Sequence, residues 1–194
     1  MTPEDFLELW KRRYGNCLPI GSYLREAYRS RWLRIHTLPK GKRYATVNDE
    51  YRTILHRHNT LLSDLLREDE VFVLVSVGYS FSPSPTSTVL ETDVWIEGSQ
   101  HWLSARMPDI EEDDEPNYCH FFMSENRWKA GSFDPLLKMV SDDSVANILF
   151  VGSDASTIYH PYDGGGDVFL PSETVRASYA QRYSEWRSPH PLGL

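Results

Sequence analysis

Only two cysteines, Cys17 and Cys119, occur among the 194 residues, and they form no CxxC. A disulfide framework is not indicated, and the pair suits a reducing compartment, so a cytoplasmic protein is expected. A Cys17–Cys119 bridge stays open, though nothing in the sequence favours it. Long apolar runs are missing too. The longest, EVFVLVSVGY, is too short to cross a membrane as a helix. The opening MTPEDFLELW is acidic and amphipathic rather than basic and then apolar, so no secretory signal is expected. There is no GxxxxGK[ST], no GxGxxG and no GxSxG, since VGYSF and VGSDA each miss the second glycine. A P-loop, a dinucleotide fingerprint and a nucleophile elbow are thereby excluded.

Aromatic residues, by contrast, are plentiful: six Trp, eleven Tyr and eight Phe argue for large packed side chains and a core of good size. The net charge of −8 is unevenly spread. Residues 1–68 hold 13 Lys and Arg against 8 Asp and Glu, and the remainder holds 7 against 20. Such a split makes one basic and one acidic region if the segments stay apart, and simple compensation if folding interleaves them.

Helices open and close the chain. Thr2 caps a first helix with Pro3 at its start, Glu4 and Asp5 in its first turn, and Gly15 at its stop. SYLREAY adds a short helix, and RSRWLRIHTL reads as a strand. Asn48 is placed to cap a long helix whose stripe is Tyr51, Ile54, Leu55, His58, Leu61, Leu62, Leu65 and Leu66. EVFVLVSVGYSF reads as a central strand, and DVWIEG and YCHFFMS as further strands. FDPLLKMVSDD reads as a helix capped by Asp134. ANILFVG, STIYHPY and DVFL form an antiparallel meander before a last helix from Ser172 with stripe Val175, Tyr179, Tyr183 and Trp186. Without regular βα alternation, the expectation is α+β: a mostly antiparallel sheet with flanking helices, one domain over 1–194. The stretch from about 107 to 117, with Glu111–Glu115 all acidic, is expected to be a mobile loop.

Two segments carry the candidate binding residues. In RIHTLPKGKRYA, Arg34 and His36 alternate on one strand and so share a face, with Lys42 and Arg43 in the following loop. Such a set suits a phosphate, a carboxylate or an acidic partner; the alternative is a solvated loop paired with the chain's own acids. In HPYDGGGDVFLP, strand alternation puts His160 and Tyr162 on one face beside Asp163. The three glycines read as a tight turn that exploits their positive φ, with Asp163 and Asp167 disfavouring a phosphate. A calcium loop from Asp154, Asp163 and Asp167 lacks the EF-hand order. His56 and His58, two apart on a helix, cannot hold one ion, and His58 suits a core position. Cys119 and His120 face opposite sides of a strand. No metal site and no cofactor is therefore called for, and the negative balance argues against nucleic acid.

RWLRIHTLPKGKRYA, RHNTLL, DPLLKMVSDDSVANILFV, IYHPYDGGGDVFLP and the closing YSEW and PHPLGL together resemble an uncharacterised bacterial protein family with H-S-L-P-x-x-K-R-Y, P-Y-D-G-G-x-D and W-x-x-x-H-P motifs. The Tyr162–Asp163 stretch is also similar, more remotely, to a bacterial domain of unknown function marked by Y-D-D-R-G, with Gly164 and Gly165 in place of its acid and arginine. The resemblance implies a bacterial, cytosolic, single-domain protein and brings no activity, cofactor or site residue.

Two functions stay in view. One is a non-enzymatic intracellular binding protein whose acidic surface opposes a basic partner, with toxin-neutralising immunity-type proteins as an analogy. The other is a small-anion or nucleotide-binding domain, open to enzymatic use, built on Arg34, His36, Lys42 and Arg43 with Asp163 or Asp167 nearby. An assembly role through exposed aromatics is a third.

Overall fold

A computed structural model describes residues 1–85, 98–108 and 116–187. Most of DVWIEG, the acidic run Glu111–Glu115 and the closing SPHPLGL lie outside the described residues. The elements run α1 (Pro3–Tyr14), α2 (Gly21–Ala27), β1 (Trp32–His36), α3 (Asn48–Leu65), β2 (Val71–Ser80), β3 (Gln100–Arg106), β4 (Tyr118–Arg127), α4 (Asp134–Ser141), β5 (Leu149–Gly152), β6 (Ile158–Tyr162), β7 (Gly165–Phe169) and α5 (Glu173–Arg182). The seven strands among the described residues belong to one antiparallel sheet in the order β1-β7-β6-β5-β2-β4-β3. The α+β expectation holds.

Strand alternation sends side chains into a core on each face. Leu33, Phe72, Leu74, Phe150, Tyr159 and Val168 meet Leu61 and Leu62 of α3, Leu137 and Val140 of α4, and Ala180 of α5. On the opposite face Val73, Val75, Phe121, Leu149, Val151 and Phe169 meet Phe6, Trp10 and Tyr14 of α1 and Leu24 of α2. β2 supplies residues to both cores, which is why its sequence is a continuous apolar run rather than an alternation.

Local signals explain the helix ends, with two corrections. The Thr2 hydroxyl accepts from the Asp5 amide and the Asp5 carboxylate accepts from the Thr2 amide, a capping box, and Gly15 ends the helix at φ 59°. Asn48 does not cap α3; Val47 holds the cap position, and Glu50 reaches back to accept from the Thr46 amide at 2.7 Å. Asp134 likewise lies inside α4, with Phe133 at its cap. Both helices begin one residue earlier than expected, with Asp49 and Glu50 in the first turn of α3 and Asp134 in that of α4, where a negative charge suits the helix dipole. Ser172 caps α5 through the Val175 amide. Cys17 and Cys119 are free, and no helix among the described residues is long and apolar enough to cross a membrane.

Candidate functional site

The site lies where the first strand of the chain closes against its last hairpin. β1 pairs with β7, and β7 pairs with β6, so residues 133 positions apart in sequence become cross-strand neighbours. On the α2 face the three strands form rows. The inner row, Trp32–Phe169–Ile158, is apolar and belongs to the core. The next row is Arg34–Asp167–His160, and the outer row is His36–Gly165–Tyr162. Gly165 has no side chain, and the Tyr162 hydroxyl lies over it, 3.0 Å from where a Cβ would stand. A cleft of roughly 520 Å³ opens over these rows.

Of the expected binding residues, Arg34, His36, Arg43, His160, Tyr162 and Asp163 all line this cleft. Lys42 does not. It donates to Glu50 at 2.5 Å and to Thr46 at 2.9 Å, serving the start of α3. Gly21, Ser22 and Arg25 of α2, Asn147 and Asp167 complete much of the wall. Arg25 carried no local signal, because SYLREAY reads as an ordinary amphipathic turn whose arginine could face anywhere.

Two buried carboxylates organise three arginines. Arg34 donates from Nε to Asp167 Oδ1 at 2.8 Å and from Nη2 to Oδ2 at 2.9 Å, a two-point contact with a carboxylate only 1% exposed. Its guanidinium also lies 4.8 Å from the Tyr162 ring centre and 5.3 Å from that of Trp32. Arg25 approaches the same carboxylate at 3.7 Å without a hydrogen bond. Arg43 donates from Nε to Asp163 Oδ2 at 2.5 Å, and Tyr44 donates its hydroxyl to the same oxygen at 2.7 Å. The basic segment is thus largely paired with the chain's own acids, as the alternative reading of that loop anticipated. The folding that does this joins the basic first third to the acidic remainder.

These contacts set protonation. Burial works to raise the Asp163 carboxyl, but the hydrogen bonds from Arg43 and Tyr44 prevail and hold it below the usual carboxylate value. Burial pushes His160 down to about 4; Asp167 opposes this, while Arg34 and Arg25 reinforce it. His36 is lowered by burial and by Arg34 and Arg57. Burial pushes the Tyr162 phenol up to about 12. Near pH 7 the two imidazoles and the Tyr162 phenol of the cleft are therefore neutral. His36 Nε2 and His160 Nδ1 have no hydrogen-bond partner among the described residues.

The triple glycine has a different purpose from the one expected. The turn consists of Asp163 and Gly164, while Gly165 and Gly166 already belong to β7. None of the three has a positive φ. What they permit is close approach. A Cβ on Gly165 would stand 2.0 Å from the Ile35 carbonyl oxygen, and one on Gly166 would stand 2.3 Å from the Tyr159 ring. Gly21 does the same for α2: a Cβ there would meet His160 Nδ1 at 2.2 Å.

The other candidates lie elsewhere. Asp154, in the turn after β5, accepts from Arg13 at 3.3 Å and from the Ser156 amide. His58 is fully buried, with Nδ1 2.5 Å from the Tyr159 hydroxyl, and burial lowers it to about 3. Among the described residues no group of three His, Cys, Asp or Glu side chains is placed to hold a metal ion.

The chain belongs to a family described as a domain of unknown function (DUF3885), which matches residues 20–191. That span contains every residue of the cleft. No curated protein and no solved structure matches the chain.

Proposed function

We propose that this member of the DUF3885 family binds a small anionic ligand in the cleft between α2, β1 and the β6–β7 hairpin. The observation that carries this reading is the surplus of guanidinium over carboxylate. Three arginines face two acids, and each acid holds its arginine by only part of its donor set. A guanidinium has five N–H groups. Arg34 uses one edge on Asp167, Arg43 uses Nε alone, and Arg25 makes an ion pair without a hydrogen bond. The carboxylates are too buried and too fully engaged to be the ligand's contacts. They fix the arginines, and a fixed fork loses less entropy when an oxyanion arrives. The neutral histidines and Tyr162 add uncharged polar contacts suited to hydroxyls of the ligand.

The proposal covers a bacterial, cytoplasmic protein; the two free cysteines support a reducing compartment. The partner-binding reading rests on the acidic balance and surface, including Glu111–Glu115, which lie outside the described residues.

A thermal-shift panel of inorganic phosphate, glucose 6-phosphate, AMP and citrate tests the reading. At least one raises the melting temperature of the wild type, and the rise disappears in the Arg25→Ala/Arg43→Ala double variant but persists in Lys42→Ala. A rise that survives the double variant removes the ligand from this cleft.

A further inference from the structure

At the far end of the sheet, on the face away from α1, four polar side chains from three adjacent strands form one hydrogen-bonded chain. Ser80 lies on β2, His120 on β4, and Ser104 and His101 on β3. Ser104 and His120 are direct cross-strand partners. His101 and Ser104 are three residues apart, an odd spacing that would send them to opposite faces of a regular strand. The register shifts between His101 and Leu103, and this bulge brings both to one face.

The hydrogen positions in this chain follow from the partners. The Ser80 hydroxyl donates to the Ser82 carbonyl at 3.0 Å, so toward His120 it can only accept. His120 Nε2 lies 2.9 Å from the Ser80 oxygen and 3.1 Å from the Ser82 carbonyl, two acceptors, so Nε2 carries the hydrogen. Burial lowers the basicity of His120 and keeps it neutral near pH 7. Its Nδ1 therefore presents a lone pair, and the Ser104 hydroxyl, 2.7 Å away, donates to it. With its own hydrogen committed, Ser104 accepts from His101 Nε2 at 2.8 Å.

We propose that Ser104 is an activated nucleophile toward acyl and phosphonyl electrophiles, with His120 as its base and the Ser82 carbonyl orienting that base. The arrangement has the three parts such a serine needs: a hydroxyl bonded to a base, a base fixed by a third group, and a nearby N–H donor in His101. His120 is fully buried, Ser104 is partly exposed and His101 is exposed, so the base is sheltered while the nucleophile is reachable. With an ester, the Ser104 oxygen bonds to the carbonyl carbon and its proton passes to His120 Nδ1. The carbonyl π pair moves to oxygen, where the His101 N–H can meet it. Collapse expels the alcohol, which takes the proton from His120. Water then repeats the sequence, releasing the acid and restoring the serine. No residue of the cleft takes part, so this site and the anion site stand or fall separately.

A fluorophosphonate tests the proposal on the full chain. Attack forms the serine oxygen–phosphorus bond, and fluoride leaves with the serine's proton. Intact-mass measurement is expected to show one phosphonyl group per chain, and peptide mapping to place it on Ser104. Ser104→Ala, which removes one oxygen from the surface of an edge strand, should not label. His120→Gln should label about a hundredfold more slowly, the usual contribution of a positioned base. No adduct on the wild type, an adduct on another serine, or labelling of a folded His120→Gln variant at the wild-type rate would each overturn the proposal. The first two outcomes need no variant at all.

Discussion

Arg34 and Asp167 face each other across β1 and β7 and share two parallel hydrogen bonds, 2.8 and 2.9 Å long, with the carboxylate sealed from solvent. The pair fastens the first strand to the last hairpin and holds up the wall of the cleft. Its two members come from opposite ends of the chain's charge asymmetry.

Removing one member leaves the other charge buried. Arg34→Ala is expected to lower unfolding free energy by about 3 kcal/mol, the low end for breaking a buried ion pair, because Arg25 still lies 3.7 Å from the Asp167 carboxylate. Arg34→Lys keeps the charge but not the planar fork, and should fall between the two. Urea denaturation followed by circular dichroism gives both numbers. A loss under about 1 kcal/mol for Arg34→Ala would mean the pair behaves as a surface ion pair.

The three glycines should not be equally sensitive to alanine. At Gly164 the nearest atoms to an added Cβ are 3.3 and 3.4 Å away, both on side chains. Gly164→Ala should shift stability by about 1 kcal/mol or less in either direction. Gly166→Ala presses into the ring of Tyr159, an overpacking worth about 1–3 kcal/mol or more. Gly165→Ala meets the backbone of Ile35, which cannot rotate away, and should be the most damaging. If the glycines served only a turn with positive φ, Gly164 would head the order instead. Melting temperatures of the three variants decide.

Two histidines whose basicity folding lowers, His58 in the core and His160 in the cleft wall, make stability depend on pH. In the unfolded chain a histidine titrates near 6.5, whereas folding lowers His160 to about 4 and His58 to about 3. As pH falls, the unfolded state takes up these protons first. Their contribution to stability is thus complete above about pH 6.5 and is lost progressively as pH falls toward 4. Each histidine adds roughly 1.4 kcal/mol per pH unit to that slope. His160→Gln should remove one proton's share of it, measured by urea titrations at intervals from pH 7 to 4.5. An unchanged slope would mean His160 already charges in the folded protein.

Much of the fold could be read from local signals. The capping box at Thr2–Asp5, the apolar stripe of α3 and the two-faced β2 each declare themselves within one segment. What was not legible was long-range. No local feature says that β1 pairs with β7, and the register that sets Arg34 against Asp167 and His36 against Gly165 is fixed by packing on both faces of the sheet. The alternation rule placed Arg34 with His36 and His160 with Tyr162, yet only the pairing put the two sets together. Arg25 escaped notice because its role depends on how α2 lies on His160 through Gly21. Lys42 shares a loop with Arg43 but not the cleft, because it pairs with Glu50. A glycine run suggests torsion, whereas Gly165 and Gly166 serve contact, a distinction that requires knowing where Ile35 and Tyr159 lie.

The most direct test of the anion site watches the arginines themselves. In a nitrogen-15 spectrum, the Nε–H groups of Arg34 and Arg43, hydrogen-bonded to Asp167 and Asp163, report on the cleft directly. Titration with glucose 6-phosphate, with glucose as the uncharged control, is expected to shift the Arg25, Arg34 and Arg43 signals saturably. Signals from Arg52 and Arg127, which do not line the cleft, should stay in place. Shifts spread evenly over all arginines, or none at those three, would contradict an anion site in this cleft.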